Sequence, residues 1–430
     1  MSLTKYKEKV RFFSDQIVEA QRPFRILDAI KWDSSLETEF FANKGKVFPK
    51  VDRAYYERIP LGFDPIAKIS ELAEIGRSIH RELGSDDGLA QLLMETVDQY
   101  LDVVLMLKSR GTKEFYTCSS KLYGSTRDTF FDGKLSILDQ GAHLNKVLSS
   151  FGNKFLGQDY PKNLTSEDVV RELKDRFSRS FLKDKVDVRI SDGIVADAAA
   201  GSDTIKIREG ATFSRRDIDI FEVHEGYVHV ATTQNGKAQT TAKFLAKGPP
   251  RTAVTQEGLA ILMEILTFST YPLRARTIND RILGVNKAEE GANFLEVYEF
   301  YLEQDYNEVT AFRSAMRVFR GGTLDGGSPF TKDISYGRGF IENYNFIRTA
   351  IRSGRPEIIP FMFAGKLHVD DVPLLYARHL EGMVDMPKLM PAQFQDLNGL
   401  AVWMSFSSFL NTIDANVVTS YYDSLFRRYL

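Results

Sequence analysis

The chain has 430 residues, 43% apolar and 27% charged, the balance of an ordinary soluble globular protein with enough apolar residues for a sizeable core. Its 56 basic and 58 acidic residues leave a net charge of −2, which supplies no electrostatic footprint for nucleic acid or an anionic membrane. A single cysteine, Cys118, rules out an intrachain disulfide framework or a Cys-based zinc finger. The N-terminus MSLTKYKEKVRFF lacks a signal peptide's apolar run, and no window nears ~18 consecutive apolar residues, so a cytoplasmic chain without a membrane span is expected.

From the start to about Asp184 the pattern is mostly helical. Apolar residues recur at three-to-four spacing from Asp64 to Leu83 and, over a longer run, from Gly88 to Gly111. Thr165 with Asp168 three residues on is a capping-box signature. The period then changes. VDVRI, IVADAAA and TIKIRE, separated by SDG and GSD, predict three short strands between Val186 and Glu209. Ser214 with Asp217 predicts a helix from near Arg215, with Ile218, Phe221 and Val228 on one stripe and QNG (Gln234 to Gly236) as its stop. After KGPPRT, Thr252 or Thr255 is expected to cap QEGLAILMEILTFSTYPLRAR. The remainder reads as helical, interrupted by the glycine-rich FRGGTLDGGSPFTKD and by YGRGF. The expected class is α+β: a mainly helical part over residues 1–183 and a second part over 184–430, packed as one unit, with a small sheet before a histidine-bearing helix.

That helix carries His224, Glu225 and His229 as HEGYVH. Two imidazoles at i and i+4 share a helical face, as in the H-E-x-x-H of zinc peptidases. At i and i+5 they stand roughly 140° apart on an ideal α-helix, against about 40° for four steps. A π-bulge absorbs the extra residue, and Gly226 inside the motif eases the distortion. The plainer reading is two satisfied histidines on an amphipathic helix. A third ligand must come from elsewhere, and TQEGLAILMEIL offers Glu257 and Glu264, seven apart on one face. Glu257, 28 residues past His229, gives the gluzincin layout of two histidines and a glutamate on the next helix. Its alternative is a solvated first-turn acid favoured by the helix dipole.

HEGYVH together with TQEGLA resembles the bacterial QEGLA-motif proteins, a family that includes the microtubule-associated tyrosine carboxypeptidases of animals. KLYGS at Lys121, NGKAQ at Asn235, FRGG at Phe319, PFTKDISYGRGF at Pro329 and the C-terminal LNGLAVWMSF extend the likeness over most of the chain. The resemblance implies a zinc-dependent carboxypeptidase with a zincin-like fold, Zn2+ on His224, His229 and Glu257, and Glu225 as catalytic acid/base. All four positions match. The substrate does not carry over. The animal enzymes remove a C-terminal tyrosine from tubulin, and this chain lacks an obvious microtubule-binding extension.

A carboxypeptidase must also bind a terminal carboxylate, for which Arg offers a two-pronged donor and Lys a point charge. Arg320, Lys332, Tyr336 and Arg338 cluster among glycine-rich turns. Lys332 or Arg338 is the expected carboxylate reader, and Tyr336 a donor to the oxyanion; a surface loop with solvated cations is the alternative. His80, His143, His368 and His379 stand alone, Asn235 and Gln239 read as helix termination, and Tyr123 and Gly124 as a turn. No GxxxxGK or GxSxG is present. The function expected is a zinc metallopeptidase acting on a peptide or protein C-terminus. A non-catalytic binding or regulatory protein on the same scaffold is the alternative, against which the intact Glu225 argues.

Overall fold

Helix starts follow side chains that satisfy the first free amides. The computed structural model describes residues 2–149, 160–194, 196–410 and 412–429. Helix α1 (Leu3–Gln21) is capped by Ser2, α2 (Pro65–Leu83) by Asp64 with Pro65 in its first turn, and α3 (Gly88–Lys108) by Asp87. The three pack together. Helix α4 (Ser166–Ser178) forms both halves of its Thr165/Asp168 capping box.

The predicted sheet is present. Strands β1 (Asp187–Ser191), β2 (Ala198–Ala200) and β3 (Thr204–Arg208) lie in the order β1-β3-β2. β1 and β3 run parallel with Val188 opposite Ile205, while β2 runs antiparallel to β3 with Ala198 opposite Ile207. The middle strand predicted from Ile194 is strand only over Ala198–Ala200, and its Val195 lies outside the described residues. Val188, Ile205 and Ile207 are buried against Val169, Leu173 and Phe177 of α4, forming a small apolar cluster. A larger cluster joins residues on both sides of position 183, from Val10 to Met404.

Helix α5 (Arg215–Phe221), with its Ser214/Asp217 capping box, runs directly into a π-helical segment, Glu222–Val230, and then into α6 (Ala231–Ala238). The QNG expected to end the helix lies inside α6. Gly236 is there for space, since a Cβ would fall on the Leu245 backbone. Asn235 ties the helix to a later loop through Phe363 O, Leu389 O and the amides of Lys388 and Leu389. Gln239 does the same through Ala364 O, Asp385 O and Asp385 N.

Helix α7 (Thr252–Leu266) starts without a side-chain cap. The expected threonine caps are engaged elsewhere: Thr252 donates to Pro249 O, and Thr255 accepts from Val369 N. Helices α8 (Pro272–Glu289) and α9 (Glu308–Phe319) follow, then a 3-10 turn, Thr331–Ile334, and α10 (Ser335–Arg352). YGRGF is no interruption; it forms the first turns of α10. Its Gly339 meets Gly258 of α7 backbone to backbone. A Cβ on Gly258 would land on the Gly339 backbone, and one on Gly339 on Val254 O. Asn343 clamps the same crossing by donating to Thr255 O at 2.9 Å. No helix among the described residues is long and apolar enough to cross a membrane.

The α7–α10 crossing has a measurable consequence. Gly258→Ala forces the helices apart and is expected to lower stability by about 1–3 kcal/mol, read as a lower urea midpoint at unchanged slope. Gly399→Ala, where a Cβ meets nothing within 4 Å, is expected to leave the midpoint unchanged or higher. Equal midpoints for Gly258→Ala and the native chain would refute the packing argument.

Candidate metal centre

The π-helical segment sets the site. Its i→i+5 hydrogen bonds close one turn with five residues, so His224 and His229 stand one above the other instead of diverging. Gly226 lies between them, and a Cβ there would come 2.5 Å from the Phe177 ring of α4. The glycine thus both eases the turn and lets α4 approach.

The two imidazoles converge with Glu257 of α7. His224 Nε2 and His229 Nε2 each lie 3.6 Å from the same Glu257 oxygen, Oε2. The ring centroids are 4.9 Å apart, nearly perpendicular at 80°. All three donor atoms fall within 4.8 Å of one another, and the three residues form a group able to hold a metal ion. Four ligands at ~2.1 Å around a tetrahedral ion stand ~3.4 Å apart, which the observed separations approach.

A second layer aims these donors. His224 Nδ1 lies 2.7 Å from Glu264 Oε1, and Glu264, fully buried, takes Arg274 at 3.0 Å. Burial works against ionising Glu264, but Arg274 and His224 outweigh it and hold its carboxyl down at about 2. A neutral imidazole that donates from Nδ1 turns its Nε2 lone pair to the centre. His229 Nδ1 faces Gln256 Oε1 at 3.4 Å, an oxygen that also accepts from Lys366 at 2.6 Å and Thr232 at 2.9 Å. Lys332 donates at 2.7 Å to Glu257 Oε1, leaving Oε2 for the centre. Burial opposes the Glu257 charge, yet Lys332 and the two imidazoles keep its carboxyl well below the usual range. Burial would likewise strip His224 of its proton, but Glu257 and Glu264 push it up to about 10. With Glu257 and Glu264 on its two nitrogens, the His224 imidazole sits where a cation is favoured, a place that a metal ion can take.

Glu225 faces the sheet, its Oε2 accepting the Ala200 amide of β2 at 2.8 Å. Among the described residues β3 is the only strand paired with β2, and Ala200 turns its amide to Glu225. Tyr336 is buried, with its ring 6.3 Å from His224, Arg281 over one part of it at 5.0 Å and Lys332 at 5.7 Å. Asp333 takes Arg317 through two bonds of 2.7 and 2.8 Å. Arg320 is buried over the Phe330 ring, has no ion pair within 4.0 Å among the described residues, and leaves its Nε without a partner. Burial, then Arg317, pushes its guanidinium down to about 10. Arg338 turns to Glu342 at 2.7 Å and lines a polar cleft of about 270 Å³ with Tyr123, Gly124 and His368.

Of the residues singled out from the sequence, the structure brings together His224, His229, Glu257, Glu225, Lys332 and Tyr336, with Arg320 beside them and Arg338 on the neighbouring cleft. Sequence reasoning placed Glu264 on the right helical face without its role. It missed Arg274, Arg281 and Lys366, which no local pattern marks, and the role of Gln256, which stands inside the QEGLA motif. A larger cleft of about 450 Å³, lined by Lys31, Glu37, Tyr55 and Arg313 among others, includes none of the metal-centre residues.

The family model described as microtubule-associated tyrosine carboxypeptidase matches residues 38–412, nearly the whole chain, and the chain belongs to that family. No curated protein matches it. The family points to carboxypeptidase-type hydrolysis.

Two substitutions test the layered geometry. His224→Ala is expected to abolish stoichiometric metal binding, measured by elemental analysis of the purified chain. Glu264→Gln is expected to keep the metal but weaken it by about 10–100-fold in chelator competition. Unchanged affinity in Glu264→Gln would remove Glu264 from the site.

Proposed function

We propose that this member of the tyrosine carboxypeptidase family is a zinc-dependent carboxypeptidase on a zincin-like α+β scaffold, residues 1–183 and 184–430 folding as one unit. The observation that carries the reading is the aim of two imidazole Nε2 atoms at one glutamate oxygen, with Glu264, Gln256 and Lys332 behind the three donors. Two nitrogens and one carboxylate oxygen suit Zn2+, with a fourth position left for water or substrate. Held by His224, His229 and Glu257, the ion would acidify bound water and polarise the scissile carbonyl.

The chain's own residues do the rest. Glu225 takes the proton of the attacking water and returns it to the leaving amine. The Ala200 amide holds the carboxylate of Glu225 beside β2. Tyr336 donates to the developing oxyanion. Lys332 is committed to Glu257 and Arg338 to Glu342, so neither is the best reader of the substrate's terminal carboxylate. Arg320, with Arg281 across the Tyr336 ring, retains no direct acidic partner among the described residues and takes that role. The substrate is a peptide or protein C-terminus, with a terminal tyrosine or other aromatic residue the first to test. The lone Cys118 supports a cytoplasmic setting.

Incubation with a peptide library, read by mass spectrometry, is expected to show loss of single C-terminal residues; internal cuts only, or none, defeat the exopeptidase reading. Glu225→Gln is expected to retain zinc while turnover falls at least ~10²–10⁴-fold. Arg320→Ala is expected to raise KM about tenfold or more for peptides with a free terminal carboxylate, the loss of one charged hydrogen bond. An unchanged KM would remove Arg320 from substrate binding.

A further inference from the structure

The C-terminal helices carry an apolar surface larger than a free-standing chain retains. Helix α11 (Leu397–Leu410) contains no charged residue. It buries Leu400 and Met404, stands Trp403 edge-on to Tyr344 of α10, and shares a 3.0 Å hydrogen bond between Ser407 and Tyr344. Its other face lies open, with Phe406 71% and Phe409 67% exposed. Helix α12 (Ala415–Tyr429) has no core residue among those whose burial is described, 415–428. Val418, Tyr422 and Phe426, spaced four apart, form one exposed stripe beside Tyr421.

Two physical arguments call for a partner. First, the exposed aromatic and aliphatic side chains of α11 and α12 present on the order of 1,000 Å², at ~150–250 Å² per buried aromatic. Taken over the two successive helices, that meets the ~800 Å² that each partner buries in a stable interface. Second, a 15-residue helix is marginal in water, and α12 is built from poor helix formers, with Asn416, Val417, Val418 and Thr419 in a row. Packing has to stabilise it.

Charge selects the partner. A helix that lies on an anionic bilayer carries a Lys/Arg-rich polar face. Here α11 has no basic residue, and from position 396 onward three acids (Asp396, Asp414, Asp423) outnumber two arginines (Arg427, Arg428). These charges complement each other under a two-fold axis. Antiparallel pairing of α12 with its own copy about Tyr421 and Tyr422 sets the Arg427 end of one helix beside Asp414 of the other, with the helix dipoles opposed. We propose that α11 and α12 form an isologous interface with a second copy of this chain, each copy contributing both helices. The interface would abut α10, the helix whose first turn carries Tyr336, and it stands whether or not the chain is a peptidase.

The test is the mass of the full chain by light scattering between about 1 and 100 µM, a range suited to an interface of this size. Twice 48.8 kDa is expected. Phe406→Ser with Phe409→Ser, both exposed and not among the metal-centre residues, is expected to give the monomer with unchanged helical content and unchanged metal binding. Arg427→Asp is expected to weaken the dimer at least tenfold, and Asp414→Arg in the same chain to restore it, a rescue that general stickiness would not show. A native chain that stays monomeric at the highest concentration overturns the proposal. So does a monomer that sediments with anionic phosphatidylserine vesicles, which would assign the face to a lipid surface, and so does a dimer indifferent to both variants.

Discussion

Two imidazoles five residues apart on one helix must reach a single carboxylate oxygen, and the rest of the site is built around that constraint. A regular α-helix turns them well apart. The nine-residue π stretch from Glu222 to Val230 removes the divergence, and the surroundings hold it in place. It lies at the seam of the two apolar clusters: Val223 and Val228 belong to the larger, Val230 to the smaller, and Tyr227 packs against both. Tyr227 also donates to Glu222 at 2.6 Å, closing the segment on itself. A less common backbone persists because packing on both sides specifies it.

The electrostatics of the centre follow from burying acids beside it. Three buried carboxylates each have a cation in contact: Glu257 with Lys332, Glu264 with Arg274, and Asp333 with Arg317. Such pairs add little net stability, because desolvation offsets attraction, but removing one partner strands a buried charge. Their value here is directional. Lys332 occupies one oxygen of Glu257 and so aims the other, while Glu264 selects which nitrogen of His224 faces inward. Pairing leaves Arg320 and Arg281 without an acid in direct contact among the described residues, so positive charge gathers beside His224, His229 and Glu257.

Local chemistry was legible where one segment decides the outcome. Ser214 with Asp217 and Thr165 with Asp168 cap helices as their spacing requires, and the switch to period two marked the sheet. Errors came where a residue serves a distant neighbour. QNG looks like a stop, yet Gly236 makes room for the Leu245 backbone and Asn235 braces a loop more than 120 positions on. YGRGF looks like a break, yet Gly339 is the contact point of two helices. Thr252 and Thr255 look like caps, yet their hydroxyls are already bonded to Pro249 and Val369.

The sequence by itself marked the candidate donors. HEGYVH and QEGLA carry His224, His229 and Glu257, with Glu225 beside the first histidine, and a shared centre for the two histidines required a departure from α geometry, because helical periodicity is a local property that the chain writes out in order. Only the tertiary structure decided how those donors are aimed and charged. Lys332, Arg274, Gln256 and Lys366 come from separate elements; Lys332 and Gln256 stand in motifs that the sequence displays, but nothing in any of the four segments shows which donor each one aims. Their roles arise from burial, which strengthens charge interactions over a few ångströms and depends on which helices meet, here α7 and α10 across Gly258 and Gly339.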